Sequence, residues 1–88
     1  MYYVYMIKNR FGNLYIGITT NLQKRLYYHN TNQGAVFTKT RNKFETVFYE
    51  KYNTLAEARK REIQIKKWRR DKKETLIQRF QNGLSTKL

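Results

Sequence analysis

The chain has 88 residues, enough for one domain with a modest core, and its formal net charge is +13. Apolar residues make up 40% of it and aromatic residues 16%, which excludes a disordered basic tail, and the lack of cysteine excludes disulfides and thiolate metal sites. No apolar run approaches the ~20 residues of a membrane helix and no leader is visible at the N-terminus, so we expect a cytoplasmic protein without a membrane partner.

The excess of positive charge indicates what kind of partner the protein has. There are 19 Lys plus Arg against 6 Asp plus Glu, and nucleic acid is the expected partner because cationic side chains release the counterions of its phosphates. Composition alone leaves two alternatives. One is a soluble surface with a positive bias, for which about half this charge suffices. The other is an acidic membrane surface, which requires an amphipathic helix with few acids.

The N-terminal part of the chain predicts a hairpin followed by a short helix. Residues 2–7 are rich in aromatic and branched side chains, as strands are, and a turn containing Gly12 leads to a second strand over 14–18. Asn21 is a good N-cap, so the pattern predicts a helix over 22–30.

The middle of the chain predicts a loop and a third strand. Residues 31–44 show no period and contain Gly34 with several threonine and basic residues, which is typical of a loop. Residues 45–52 alternate in polarity, which predicts a strand.

Two further helices are predicted towards the C-terminus. Thr54 and Glu57 have the spacing of a capping box, which predicts a helix that runs to about Trp68. Asp71 is expected to cap the last helix, and Gly83 stands where a terminating glycine is expected.

These elements define a small α+β domain. Their order is β-β-α-β-α-α, which predicts helices packed on a three-stranded sheet. We assign residues 1–83 to this single domain and expect residues 84–88 to form a frayed tail.

Short motifs follow one another along the chain in a distinctive order. They are Tyr3-Val4-Tyr5, Tyr15-Ile16-Gly17, Asn21-Leu22-Gln23-Lys24-Arg25 with His29, Thr38-Lys39-Thr40-Arg41, and Glu62 on a later helix. The series resembles the signature of the GIY-YIG nucleases, in particular the small stand-alone members. Tyr5, Tyr15 and Gly17 match the two triplets that name the family. Arg25 matches the arginine of the following helix, and Glu62 stands where the family has its metal-binding glutamate.

The resemblance implies both a fold and an activity. The family has a three-stranded antiparallel sheet with flanking helices, and its members cleave phosphodiesters of nucleic acid with one divalent metal ion. It therefore implies that Glu62 holds a single Mg²⁺ or Mn²⁺ and that Arg25 neutralises charge on the phosphate. It also implies that Tyr5 orients or deprotonates the attacking water, with Tyr15 and His29 assisting. The chain departs from the family where Tyr-Val-Tyr replaces Gly-Ile-Tyr and where Ile18 replaces a frequent polar residue.

Each candidate residue also has an ordinary structural interpretation. A tyrosine in a strand can be a packed aromatic with a solvated hydroxyl. Arg25 and His29 are four residues apart and so lie on one face of their helix, at the border of the buried stripe formed by its leucines. At that position either side chain can be exposed to solvent without a function. Glu62 falls on the buried arc of its helix, where a carboxylate needs a metal ion or an ion pair; Arg59, Lys66 and Arg25 are the candidate ion-pair partners.

Basic and aromatic side chains predict a nucleic-acid surface. The stretch 59–73 is densely basic. The predicted phosphate contacts are Lys39, Arg41, Arg59, Lys66, Lys67, Arg69 and Arg70. Exposed aromatics that can stack on unpaired bases are Tyr27, Tyr28 and Phe37. Since no second domain supplies target recognition, we expect an endonuclease of low sequence specificity that acts on DNA rather than RNA, single-stranded DNA included, without an obligate protein partner. The alternatives are a basic nucleic-acid-binding module without catalysis and a small protein of a ribonucleoprotein assembly.

Overall fold

The computed structural model describes residues 1–31 and 43–88 of the chain. It contains the strands and helices β1 (Tyr2–Asn9), β2 (Leu14–Thr19), α1 (Leu22–Thr31), β3 (Phe44–Tyr52), α2 (Leu55–Lys66) and α3 (Arg70–Gln81). The predicted order and the α+β class are confirmed. None of the helices in the described part of the chain is long and apolar enough to cross a membrane.

The sheet is antiparallel and has the strand order β2-β1-β3. The central strand is β1, in which four consecutive residues from Val4 to Ile7 are buried, because a middle strand covered on both faces buries both sets of its side chains. Pairing with β2 sets Tyr5 opposite Gly17 and Ile7 opposite Tyr15. The register therefore brings the two sequence triplets side by side.

Each face of the sheet has its own hydrophobic cluster. On one face Val4, Met6 and Phe48 pack with residues of α2 and α3, among them Ala58 and Ile65. On the other face the cluster is small: Tyr5, Ile7 and Phe44 pack against Leu22 and Leu26 of α1. The alternation of side chains along β1 thus divides its residues between a larger core under α2 and α3 and a smaller core under α1.

The helix starts agree with two of the three predicted caps. The Lys24 N–H donates to Oδ1 of Asn21 at 3.0 Å, and the Glu57 N–H donates to the Thr54 hydroxyl at 3.2 Å. The prediction that Asp71 caps the last helix is wrong, because α3 already begins at Arg70 and Arg69 holds the extended cap position. The helix expected to reach Trp68 ends at Lys66.

The end of α3 follows the predicted glycine, and the tail lies against the domain. Gly83 has φ +70°, and the Leu84 N–H donates to the Arg79 carbonyl at 2.9 Å, the pattern of a Schellman termination. Residues 84–88, expected to fray, instead lie along β3 and α2. There the Arg61 guanidinium donates to the Thr86 carbonyl at 2.8 Å.

The bounds predicted for the loop, 31–44, overlap the neighbouring helix and strand by one residue at each end. Thr31 is the last residue of α1 and Phe44 is the first residue of β3. The interpretations of Phe37, Lys39 and Arg41 fall outside the described residues.

Candidate active site

Tyr5 lies at the centre of the small core with its hydroxyl against the backbone of β2. The side chain is only 2% exposed, and a Cβ placed on Gly17 would lie 2.7 Å from its hydroxyl oxygen. No real Cβ approaches an oxygen that closely, so only glycine leaves room for the tyrosine ring at this point of the strand. The predicted motif glycine therefore has a direct steric reason: it determines where the Tyr5 hydroxyl lies.

Tyr15 and His29 form an aromatic row beside Tyr5. The Tyr15 ring centroid lies 6.4 Å from that of Tyr5 and 4.6 Å from that of His29. The His29 ring in turn lies 5.0 Å from Phe44. The structure thus brings together three residues that are separated in sequence by a turn and a helix, and it holds the histidine between two aromatic rings.

Asn30 is a positioning residue that the sequence interpretation missed. Its side-chain amide donates to the Phe44 carbonyl at 3.1 Å, and its Oδ1 accepts from the Phe44 N–H at 2.8 Å. The side chain therefore forms with the backbone of β3 the two hydrogen bonds that a neighbouring strand would form. These bonds attach the end of α1, which carries His29, to β3. A signal was available, because Asn30 follows Leu26 by four residues and so puts a polar side chain on the inward stripe of the helix.

Arg25 is exposed on α1, one turn before His29. Within residues 1–31 and 43–88, no ion pair joins Arg25 to a carboxylate. It lines a cleft of about 320 Å³ together with Thr19, Thr20, Asn21, Lys24 and Tyr28. An exposed guanidinium in a cleft with a second cation and no acid among these lining residues is suited to bind a phosphate.

The pKa of Tyr5 shows which charges surround its hydroxyl. Burial raises this pKa above the ordinary value of 10.0, and the Arg25 guanidinium opposes that rise, while Tyr15 and Glu62 add to it. Three of the other four candidate groups, Arg25, Tyr15 and Glu62, thus act electrostatically on this hydroxyl. Because burial outweighs the arginine, Tyr5 stays protonated at neutral pH and is a hydrogen-bond donor in the free protein.

The pKa of His29 is shifted in the opposite sense. Burial lowers it below the ordinary value of 6.5, and the positive charge of Arg25 lowers it further. His29 is therefore neutral at pH 7, with one ring nitrogen able to accept a proton. At neutral pH the Tyr5 hydroxyl can thus donate a proton in a hydrogen bond, and the His29 ring can accept one.

Glu62 lies where the helix periodicity predicts, in the buried arc of α2. The residue is 7% exposed and lies between Ala58 and Ile65 on that arc. Its carboxylate pairs with Lys66 at 3.3 Å and with Arg59 at 3.6 Å, so two of the three candidate ion-pair partners are present. Both cationic side chains are more than half exposed, at 53% and 57%, whereas the Glu62 side chain is only 9% exposed. Exposed partners can turn away to solvent at little cost, whereas the carboxylate stays in place.

The number of acidic side chains near one another in the described residues limits how many protein ligands a metal ion can have. Among residues 1–31 and 43–88, no three His, Asp or Glu side chains cluster as metal ligands do. Glu62 is a buried carboxylate whose charge acts on the Tyr5 hydroxyl. Since Mg²⁺ is commonly bound by one or two carboxylates together with water and substrate phosphate, Glu62 fits the role of a single protein ligand.

Some of the predicted basic residues lie together, and others lie apart. Lys66 and Arg70 line one cleft next to Tyr15, whereas Arg59 is held near Glu62. The remaining described members of the set are exposed on the surface: Lys67 and Arg69. The described aromatics proposed for base stacking are exposed as well: Tyr27 and Tyr28.

Comparisons with known proteins bear on the family and on the fold. The family model of the GIY-YIG catalytic domain matches residues 1–75. The chain is similar to a UPF0213 protein of Staphylococcus saprophyticus, with 42% identity over 76 residues, which are 86% of this chain and 93% of that one. It is also similar to a UPF0213 protein of Bacillus pumilus, with 40% identity over 77 residues, which are 88% of this chain and 79% of that one. The solution NMR structure of a UPF0213 protein from Bacillus halodurans matches with a TM-score of 0.57 and 33% identity, covering 89% of this chain and 84% of that one.

Proposed function

Because the chain belongs to the GIY-YIG family, we propose that it is a metal-dependent endonuclease that hydrolyses phosphodiester bonds of nucleic acid. The observation that carries the proposal is the row of the Tyr5, Tyr15 and His29 rings, whose neighbouring centroids lie 6.4 Å and 4.6 Å apart, and the charges of Arg25 and Glu62 both act on the pKa of Tyr5. A hydrogen-bond donor, a cation and a carboxylate that can hold a metal ion are the groups that hydrolysis of a phosphodiester uses.

The net charge of +13 supports a polyanionic substrate. We propose DNA in preference to RNA, single-stranded DNA included. We expect little sequence specificity, because the strands and helices described in residues 1–31 and 43–88 form the sheet domain and no separate module that places side chains in a groove. A cytoplasmic location and the lack of an obligate protein partner stay predictions from the sequence.

Glu62 and Arg25 act on the phosphate in this proposal. Glu62 would hold one Mg²⁺ or Mn²⁺, which when bound polarises the phosphate and stabilises the leaving oxygen. Arg25 reaches the cleft from α1 and neutralises the charge that grows on the non-bridging oxygens.

The tyrosines and the histidine act on the attacking water. Since burial keeps Tyr5 protonated, its hydroxyl orients the water by hydrogen bonding instead of removing a proton. His29 is neutral and takes up the proton, and Tyr15, packed against the His29 ring, holds that ring towards the site. This assignment replaces a tyrosinate base, which the raised pKa of Tyr5 disfavours.

The proposal is tested by incubating the protein with labelled single-stranded DNA, duplex DNA and RNA, with Mg²⁺, with Mn²⁺ and with chelator. We expect cleavage that requires the metal and is greatest on DNA. Arg25→Lys keeps the charge but loses the planar fork, so we expect about a tenfold lower rate.

Arg10→Lys is the matched control, since Arg10 is also exposed but lies in the turn after β1. It should cleave as the wild type does. Tight binding without cleavage of any of the three polymers contradicts the proposal. That outcome favours the alternative, a basic nucleic-acid-binding module without catalysis.

The lowered pKa of His29 predicts the pH dependence of cleavage. We expect a constant rate near neutral pH and a tenfold fall per pH unit once the pH drops through the His29 pKa, which lies below 6.5. The neutral imidazole also stabilises the fold above pH 6.5, and that contribution is lost as the pH falls through the lower pKa of the folded state. Thermal unfolding at each pH separates the two effects. His29→Gln should slow cleavage and remove the acid limb; an acid limb that persists in this variant rules out His29 as the proton acceptor.

A further inference from the structure

A second cleft opens beside Tyr15 on the side of α2 and α3. Its volume is about 360 Å³, and it is lined by Leu14, Tyr15, Ile16, Lys66, Arg70 and Lys73. Three of these six residues are cationic and none of them is acidic. A cleft with this lining favours an anion. In a nuclease, the anion that lies beside the cleaved phosphate is the neighbouring phosphate of the same strand.

Arg70 is held in place at this cleft. Its guanidinium donates to Glu74 at 2.8 Å and also to the carbonyl of Gly12 in the β1–β2 turn. Lys8 donates to both carboxylate oxygens of Glu74, at 3.0 and 3.1 Å. One wall of the cleft is thus fixed before any ligand arrives, which lowers the entropic cost of binding.

Lys66 belongs both to this cleft and to the candidate metal ligand. Its ammonium lies 3.3 Å from the Glu62 carboxylate, and its side chain lines the cleft beside Tyr15. A phosphate bound in the cleft therefore competes with Glu62 for the positive charge of Lys66. The phosphate also adds negative charge next to that carboxylate. Both effects raise the affinity of the Glu62 site for a divalent cation.

We propose that the cleft lined by Lys66, Arg70 and Lys73 binds the phosphate next to the cleaved one, and that this phosphate draws Lys66 away from Glu62. Nucleic acid and metal ion then bind cooperatively, and the free protein holds the ion weakly. The inference rests on the proposed function, and it adds a binding subsite and an order of binding to it.

The experiment measures Mn²⁺ binding through the electron paramagnetic resonance signal of the free ion. The protein carries Tyr5→Phe so that a bound oligonucleotide stays intact, and Mn²⁺ is titrated with and without a single-stranded deoxyoligonucleotide at constant ionic strength. Titrations of the oligonucleotide alone and of a Glu62→Gln version of this protein give the background. We expect about fivefold tighter binding of Mn²⁺ at Glu62 when the oligonucleotide is present, the low end for coupled sites.

Lys66→Met tests the coupling residue, and Lys60→Met is its matched control. Both changes remove one positive charge from the exposed surface of α2, but only Lys66 pairs with Glu62. We expect Lys66→Met to bind Mn²⁺ more tightly than its parent without oligonucleotide and to lose most of the fivefold effect. Lys60→Met should keep the effect. Circular dichroism checks that both variants are folded.

Two outcomes overturn the inference. One is Mn²⁺ binding at Glu62 that is the same with and without oligonucleotide, and the other is equal behaviour of Lys66→Met and Lys60→Met. Cleavage by the wild type is measured separately on the same oligonucleotide. Cleavage by the wild type without the coupling contradicts only this inference. Binding of both Mn²⁺ and the oligonucleotide without any cleavage contradicts the proposed function.

Discussion

Replacing Glu62 by glutamine is expected to lower the rate of cleavage by about a thousandfold, which corresponds to a loss of about 4 kcal/mol in stabilisation of the transition state. Glutamine keeps the size of the side chain but removes the negative charge that a metal ion requires. The measurement is the initial rate of cleavage with saturating Mg²⁺, together with the affinity for the oligonucleotide in the presence of chelator, which should not fall.

The stability of the same variant distinguishes a catalytic carboxylate from a structural ion pair. The partners Arg59 and Lys66 are more than half exposed and can be solvated when the charge is removed, so the free energy of unfolding should change by less than about 1 kcal/mol. Glu50→Gln is the control, because Glu50 pairs with Arg61 at 2.9 Å where both side chains are largely buried. We expect that variant to lose stability and keep its cleavage rate. If Glu62→Gln instead unfolds readily and still cleaves, Glu62 is structural.

Replacing Gly17 by alanine is expected to lower cleavage by about a hundredfold, because the added methyl group lies too close to the Tyr5 hydroxyl and displaces it. A separation of 2.7 Å between the new methyl carbon and the hydroxyl oxygen cannot be kept, and the ring is packed in the small core, so it can move only by disturbing its neighbours. A displacement of about 1 Å at a reacting group costs about two orders of magnitude in rate. The overpacked core should also lose about 1–3 kcal/mol of stability, seen as a lower midpoint of thermal unfolding.

Gly83→Ala is the control for the stability part of this result. Gly83 has φ +70°, so an alanine there is strained, but no atom lies within 4 Å of its added Cβ. It should lose about 1 kcal/mol of stability and cleave normally. Full activity of Gly17→Ala would show that cleavage does not depend on where the Tyr5 ring lies.

Local features of the fold were determined by the sequence. The caps at Asn21 and Thr54 and the termination at Gly83 depend on hydrogen bonds or backbone angles within a few neighbouring residues. The burial of Glu62 followed from the period of its own helix. The cap predicted at Asp71 was wrong, because α3 already begins at Arg70. The residue with extended backbone that precedes the helix is Arg69, and the local sequence pattern did not indicate this.

The order of the motifs along the chain also identified the family without a structure. The two triplets, Arg25 and Glu62 stand in an order that chance rarely produces. The match to the family model confirms the family that this order indicated. The sequence did not show the distances between them, because they come from separate strands and helices.

Only the tertiary structure decided the chemistry at each position. The register of β1 and β2 places Tyr5 over Gly17, and Asn30 binds Phe44 across a separation of 14 residues. At the Tyr5 hydroxyl burial outweighs the charge of Arg25 and raises the pKa, which favours the first of the two roles that the resemblance implied, orienting the water rather than deprotonating it. The reason is general: a residue's type sets which charge it can carry, while its pKa and its partners depend on which distant parts of the chain exclude water from it.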